Sequence, residues 1–325
     1  MMKNRYRALA AALAMLAAPL AAAQQAPYPS QPIRLVTGYP AGIGAVDVLV
    51  RQIAAQLKIL TGGTVLVENK TGAMTNIAAD YVAKSKADGH TLFITAGNST
   101  FAANVHIFKA LPFDPVKSFA PITTLTTLPF VLMVNSSANI GSVEELSRVL
   151  RQKKTKSGYA TSTPLTVVMS ELYKSIAGLE TTQIPYRSLE PAWPELAAGG
   201  LDFLFVDSAN ARIVMQQNRA RGLAVTSGQR SPSVPNLPTM IEAGVPGFDI
   251  TSWQAVWAPA GTPRPVIDRL SAWFNQTLAT EDVRKVMETT WQDPFPGNPE
   301  SLARLQAAEV EKWARLVKLA KIEPQ

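Results

Sequence analysis

GYPAGIGAVD, Gly38–Asp47, lies between two runs of different period. Before it, Ile33–Thr37 (IRLVT) is a short, strand-like run. After it, Val46, Leu49, Val50, Ile53, Ala54 and Leu57 recur at helical spacing. A strand, a glycine-bearing loop and a helix start present backbone N–H groups to a negative group, and glycine lets that group come close. A tight strand-to-helix turn without a ligand carries the same signature. Gly38, Gly42 and Gly44 do not fall at the Gly-x-Gly-x-x-Gly spacing, and no Gly-Lys-Ser/Thr follows, so the loop is not read as a nucleotide site.

The alternation continues outward from this loop. Thr64–Glu68 (TVLVE) and Thr91–Thr95 (TLFIT) are predicted strands, with Ile77, Ala78, Tyr81 and Val82 marking a helical face between them. Phe119–Val134 is extended, rich in β-branched residues and interrupted by Pro121 and Pro129. It is long enough to cross from one domain to another. Ser142 and Glu145 have capping-box spacing and open a helix through Val149. Further strands are predicted around Tyr159, at Gln183–Tyr186, Leu201–Val206, Leu223–Thr226 and Thr251–Ala258. Helices are predicted at about Pro263–Leu278 and Pro299–Ala320.

Strand and helix in alternation predict an α/β fold. Two such sets predict two lobes, each a mainly parallel sheet flanked by helices, with a ligand cleft between them. The expected division is 24–125 plus about 250–325 for lobe 1 and about 126–249 for lobe 2. Ligands of open α/β sheets bind beyond the C-terminal ends of strands. The cleft-facing candidates are therefore Gly38–Asp47 and Gly97-Asn98-Ser99 in the first lobe. In the second they are Ala160–Pro164, Tyr186-Arg187-Ser188 and Asp207-Ser208.

Composition narrows the function. The 325 residues are 47% hydrophobic and 17% charged, which suits a folded chain rather than a disordered one. Residues 1–23 carry Lys3, Arg5 and Arg7, then an Ala/Leu/Met-rich run ending in Ala21-Ala22-Ala23. This reads as a secretory signal peptide cleaved after Ala23. Its removal lowers the net charge from +7 to +4, a mild excess of scattered Lys and Arg that argues against nucleic-acid binding. There is no cysteine, so disulfides, thiol catalysis and thiolate metal sites are excluded. The only histidines, His90 and His106, have no Gly-x-Ser-x-Gly elbow or carboxylate cluster beside them, and both are read as structural. No metal, cofactor or catalytic set is expected.

A series of segments then resembles the periplasmic substrate-binding proteins of tripartite tricarboxylate transporters, the Bug family. In order they are YPSQPIRLV (28–36), GYPAG (38–42), Asp47 with Arg51, VENKTGA (67–73) and ADGHTLFI (87–94). LPFDPVKSFAPI (111–122), IPYR (184–187), LAVTSGQRSP (223–232) and LPTMIEAGVPGFDITSWQAVWAPAGTP (237–263) follow. The resemblance implies a two-lobed periplasmic-binding-protein fold, type II-like. Such a protein closes on a small organic anion, usually a carboxylate, and presents it to membrane permease subunits. The implied protein is periplasmic, monomeric and not an enzyme. A sensor that docks a signalling receptor in its closed form is the alternative, and an exported hydrolase the remote one. Two loops depart from the family pattern. Ile43 splits the glycine pair of the first loop, and Tyr159–Val168 (YATSTPLTVV) lacks the glycines and histidine of the second.

Individual expectations follow. Tyr39, Pro40 and Ala41 are expected to line the cleft, with Gly42, Ile43 and Gly44 as backbone donors; shaping the turn is the alternative role for Pro40. Asp47 either caps the helix or meets a ligand amino group. Gly97, Asn98 and Ser99 are expected to reach the ligand. Thr161, Ser162 and Thr163 offer hydroxyls in place of the missing glycine N–H groups. Beside Tyr186, Arg187 is a cation for a carboxylate or a surface ion-pair member. Asp207 repels a free carboxylate and favours a ligand with a donor group. Trp253 and Trp257 are read as core.

Overall fold

The structure is a computed structural model that describes residues 28–42, 44–186 and 188–324. The predicted signal peptide, Ile43 and Arg187 lie outside the described residues. Every residue of β1 (Ile33–Thr37) except Arg34 is buried, the pattern of a strand covered on both faces. α1 (Gly44–Thr61) lays Leu49, Val50, Ile53 and Leu57 against Leu35 and Leu92 on one face. After β2 (Val65–Asn69), α2 (Asn76–Ala83) covers the other face with Ala78, Ala79 and Val82 against Val36 and Phe93. β3 (Thr91–Ala96) completes a parallel trio, with β1 between β2 and β3.

A single 17-residue strand, β4 (Phe119–Asn135), leads out of this unit. The second unit comprises α3 (Val143–Lys153), β5 (Gly158–Thr161), α4 (Pro164–Ala177), β6 (Thr182–Pro185), β7 (Phe203–Asp207), α5 (Ser208–Gln216) and β8 (Ala220–Val225). The chain returns through β9 (Thr251–Pro259) and ends in α6 (Arg264–Leu278), α7 (Glu281–Thr289), β10 (Asp293–Pro294) and α8 (Pro299–Leu319).

The strand order is β2-β1-β3-β9-β4-β7-β5-β6, with β8 and β10 also on β4. β5 pairs in parallel with β6 and β7, as the βαβ alternation predicts. β9 is antiparallel to β3, and β4 is antiparallel to β9, β7 and β8. These two strands carry the chain between units instead of closing a βαβ crossover, so the parallel rule does not govern them. β4 changes partners along its length: 119–129 pair with β9, and 130–135 with β7 and β8. Register shifts after Pro121 and Thr124 bend its first half.

Ser142 caps α3 by accepting from Glu145 N at 3.1 Å. Glu145 accepts from Gly141 N at 2.6 Å rather than from Ser142, so half of the predicted box forms. The helix runs to Lys153, past the expected Val149. Trp253 and Trp257 are core, as expected. α8 reaches both units: Leu302 packs with these tryptophans, whereas Trp313 and Val317 pack with Leu132 and Tyr159. Glu309, on the same helix, accepts from Trp313 Nε1 at 3.1 Å and from Trp253 Nε1 at 3.4 Å. Among the described residues, no helix is long and apolar enough to cross a membrane.

Candidate ligand-binding cleft

A cavity of about 290 Å³ opens where the two units face each other. The first unit contributes Tyr39, the first turn of α1 (Ala45 and Val46), Ala96 at the end of β3, and Ser99. The second contributes Ser162, Thr163, Leu165 and Thr166 at the start of α4, and Val206, Asp207 and Asn210 where β7 enters α5. Ser252 and Gln254 of β9 with Leu128 and Phe130 of β4 lie at the crossing. Apart from these positions on the antiparallel β4 and β9, the lining comes from the C-terminal ends of parallel strands and the N-termini of the helices that follow them, where an open α/β sheet places a ligand. Larger hollows of about 680 and 610 Å³ lie elsewhere, along α3 and along 105–118.

The first wall is held by a buried carboxylate. Asp47 accepts from Gly42 N (2.6 Å), Asn69 Nδ2 (2.6 Å) and Arg51 Nε (2.7 Å). Burial pushes its carboxyl up, but the hydrogen bonds from Asn69, Arg51 and Gly42 together outweigh it and hold the pKa below the ordinary value. Asp47 therefore fixes the loop and does not line the cavity. The same contact engages the Gly42 N–H expected to serve a ligand, and Gly42 needs no side chain because its φ is +71°. Pro40 and Ala41 are exposed and also lie off the cavity. Gly44 opens α1, whose first-turn N–H groups have no intrahelical acceptor.

Tyr39 does line the cavity. Burial raises its hydroxyl pKa, opposed by hydrogen bonds from Thr95 and from Ala96 N (3.4 Å). Behind it Thr95, Thr100 and Thr75 form a chain of buried hydroxyls, with Oγ1 separations of 2.8 and 2.6 Å. Ser99 reaches the cavity, but Gly97 and Asn98 do not. A Cβ on Gly97 would lie 2.1 Å from the Trp253 ring, so this glycine answers to packing. Asn98 is fully buried, with Oδ1 accepting from Ser252 Oγ at 3.2 Å and Nδ2 unpartnered.

Among the described residues, the second wall is neutral apart from Asp207. Thr163 caps α4 and forms a reciprocal box with Thr166. Thr166 Oγ1 accepts from both Ser162 N and Thr163 N at 3.1 Å, so the loop's own hydroxyl engages these N–H groups. Ser162 and Thr163 line the cavity. Thr161 is buried behind them, accepting from Gln183 Nε2 at 3.0 Å. Tyr186 also lies away from the cavity. Its hydroxyl donates to Glu195 at 2.7 Å, and burial with this partner pushes its pKa up to about 12. Asp207 lines the cavity while capping α5, accepting from Asn210 N (3.0 Å) and Asn210 Nδ2 (2.7 Å).

Gln254 was not anticipated, although a lone amide in the apolar run SWQAVW is itself a signal of a buried polar role. Thr126 Oγ1 lies against Gln254 Oε1 and, at 2.8 Å, against Gln292 Oε1. Gln292 is oriented by its Nε2, which donates to Ala45 O at 3.2 Å and Thr290 Oγ1 at 2.9 Å. One hydroxyl proton cannot serve two acceptors, so the consistent assignment turns the Gln254 amide over. Its Nε2 then meets Thr126, and its carbonyl oxygen becomes the unpartnered buried atom. Neither histidine lines the cavity: His90 Nδ1 is 3.2 Å from Asp88, and His106 Nε2 is 3.0 Å from Val310 O.

The chain as a whole resembles known proteins in sequence and in fold. The model of the tripartite tricarboxylate transporter family receptor matches residues 49–322. The chain belongs to that family. Its members are periplasmic solute-binding receptors, not a catalytic family. A Pseudomonas sp. (strain P51) relative, described as a UPF0065 protein in the tcbD-tcbE intergenic region, is 35% identical over 97% of this chain and 94% of its own length. The R. palustris protein Rpa4515, solved with adipate, superposes with a TM-score of 0.79 at 32% identity, over 92% of this chain and all of that one. The periplasmic binding protein BugD gives 0.76 at 28% identity with the same coverage.

Proposed function

We propose that this receptor captures a small organic carboxylate in the cleft by hinge closure and delivers it, as a periplasmic monomer, to membrane permease subunits. The observation that carries the reading is one cavity lined by strand ends and helix N-termini from both units. A ligand bridging these walls favours the closed state by its differential affinity for it. The first turn of α1 supplies backbone donors with a favourable helix dipole, and Ser99, Ser162 and Thr163 supply hydroxyls. The proposed lobes are 24–125 plus about 250–325, and about 126–249. The hinge lies where β4 exchanges β9 for β7 and β8, at Pro129–Phe130. The C-terminal half of α8 packs on the second core and would move with it.

The test is thermal shift on refolded, ligand-stripped protein against carboxylates, amino acids, sugars and phosphates, followed by small-angle scattering. A carboxylate should raise the melting temperature as its concentration passes its dissociation constant, and lower the radius of gyration. Shifts from sugars or phosphates alone would refute the ligand class. An unchanged radius with a bound carboxylate would refute closure.

A further inference from the structure

Trp291 stands where a helix end most often has glycine. The chain leaves α7 in a Schellman turn, with Gln292 N donating to Met287 O at 2.9 Å and Trp291 N to Glu288 O at 3.4 Å. That turn sets Trp291 at φ +49°, in the left-handed region that a bulky side chain rarely occupies. Such a residue persists only where its surroundings fix it, and here they belong to the other unit. α7 packs in the first core through Val283 and Met287. Trp291 itself packs on a cluster whose other members, among the described residues, all fall between 131 and 237.

Hydrogen bonds repeat this crossing on either side of Trp291. From α5, Ser208 Oγ donates to Trp291 O at 2.8 Å, and Arg212 Nη1 donates to Thr289 O. Asp293 accepts from Ser231 Oγ (2.5 Å), Ser233 Oγ (2.7 Å) and Ser233 N (3.0 Å). Towards the first unit, Gln292 Nε2 donates to Ala45 O, in the first turn of α1, at 3.2 Å. The segment therefore fastens together the starts of α1 and α5, which belong to opposite walls of the cleft. It does so beside the point where β4 changes partners, since β10 pairs with Thr126 and Thr127.

Resting on the reading of the cleft as one that closes by hinge motion, we propose that Thr289–Asp293 is a non-covalent third crossing between the units. Trp291 is its anchor, a positioning residue that holds the two walls of the cleft facing each other. β4 and β9 join the units through the main chain, and the tether restrains the angle between them. Without it the ligand-free chain spreads over more interlobe angles, and the share ready to receive a ligand falls.

The chain has no cysteine, so Lys58→Cys on α1 and Arg148→Cys on α3, both exposed, place one nitroxide label on each unit. Distances between the labels are measured by pulsed electron–electron resonance in the ligand-stripped full chain. Trp291→Gly suits the turn and removes the anchor, and should widen the distance distribution about twofold. Trp291→Phe keeps an aromatic anchor and should stay near the parent. Asp293→Ala releases the other end of the tether without touching the turn, and should widen the distribution to a smaller extent. A parental width in Trp291→Gly, with circular dichroism matching the parent, overturns the proposal. If Trp291→Gly does not fold, Asp293→Ala decides alone, and a parental width there overturns it. Closure on a ligand is read separately, from scattering with bound carboxylate, so its failure and the failure of the tether are distinguishable.

Discussion

The two walls of the cleft are built by different means. On the first, a buried ionised carboxylate, Asp47, gathers the loop, the helix and the neighbouring strand through Gly42, Arg51 and Asn69. On the second, the neutral hydroxyls of Thr163 and Thr166 close the turn on themselves. In both, the side chains that look most suited to a ligand hold their own loop in place. Among the described residues, what remains facing the cavity is backbone at helix starts, a few hydroxyls, the Asp207 carboxylate, the amides of Asn210 and Gln254, and apolar surface. A charged anchor is the more costly one to lose, because its removal strands several donors at once, whereas a capping hydroxyl strands one.

Substitutions can break this contrast, and the largest effect belongs to the packing behind the first wall. Gly97→Ala drives a methyl group into the buried Trp253 ring and should cost about 3 kcal/mol of stability in urea unfolding. Next comes Asp47→Ala, which unpairs Gly42 N, Asn69 and Arg51 and should cost about 2 kcal/mol. Its sign with pH sharpens the comparison. The folded pKa of Asp47 lies below its unfolded value, so its stabilisation is present above the unfolded pKa and is lost as pH falls through the folded one. The advantage of the parent over Asp47→Ala in thermal melts should therefore be constant at neutral pH and fade below about pH 4.

The second wall should respond more weakly and without that acid dependence. Thr163→Ala removes a cap and should cost about 1 kcal/mol, with Thr163→Ser close to the parent. An acid-dependent loss at Thr163, or none at Asp47, would erase the distinction between the walls. Smallest of all, Tyr186→Phe should change stability by less than about 0.5 kcal/mol and leave ligand affinity unaltered in calorimetry, since its hydroxyl meets Glu195 away from the cavity.

Much of the architecture was legible beforehand. β1, β3, β9 and α8 lie within a residue or two of their predicted limits, because buried strands and long amphipathic helices write their period into the chain. The antiparallel course of β4 and β9 was not legible, since strand direction depends on where the chain comes from rather than on local pattern. Tyr39, Ser99, Ser162, Thr163 and Asp207 reach the cavity as their positions after strands suggested. Thr161 and Asn98 each sit next to such a residue and face inward instead. A one-residue step moves a side chain to another face, at the end of β5 for Thr161 and in the helical turn Asn98–Ala103 for Asn98, and nothing in the local sequence announces it.

The sequence by itself determined the alternation of elements, the family and the loops that meet at the cleft, because these follow from periodicity, turn chemistry and ordered motifs. Only the tertiary structure decided which atoms in those loops remain free. Whether Gly42 N–H or the Asp47 carboxylate is available depends on partners such as Asn69, 22 residues away from Asp47 in the chain. The orientation of the Gln254 amide likewise depends on Thr126, 128 residues away, through a contact that only folding makes.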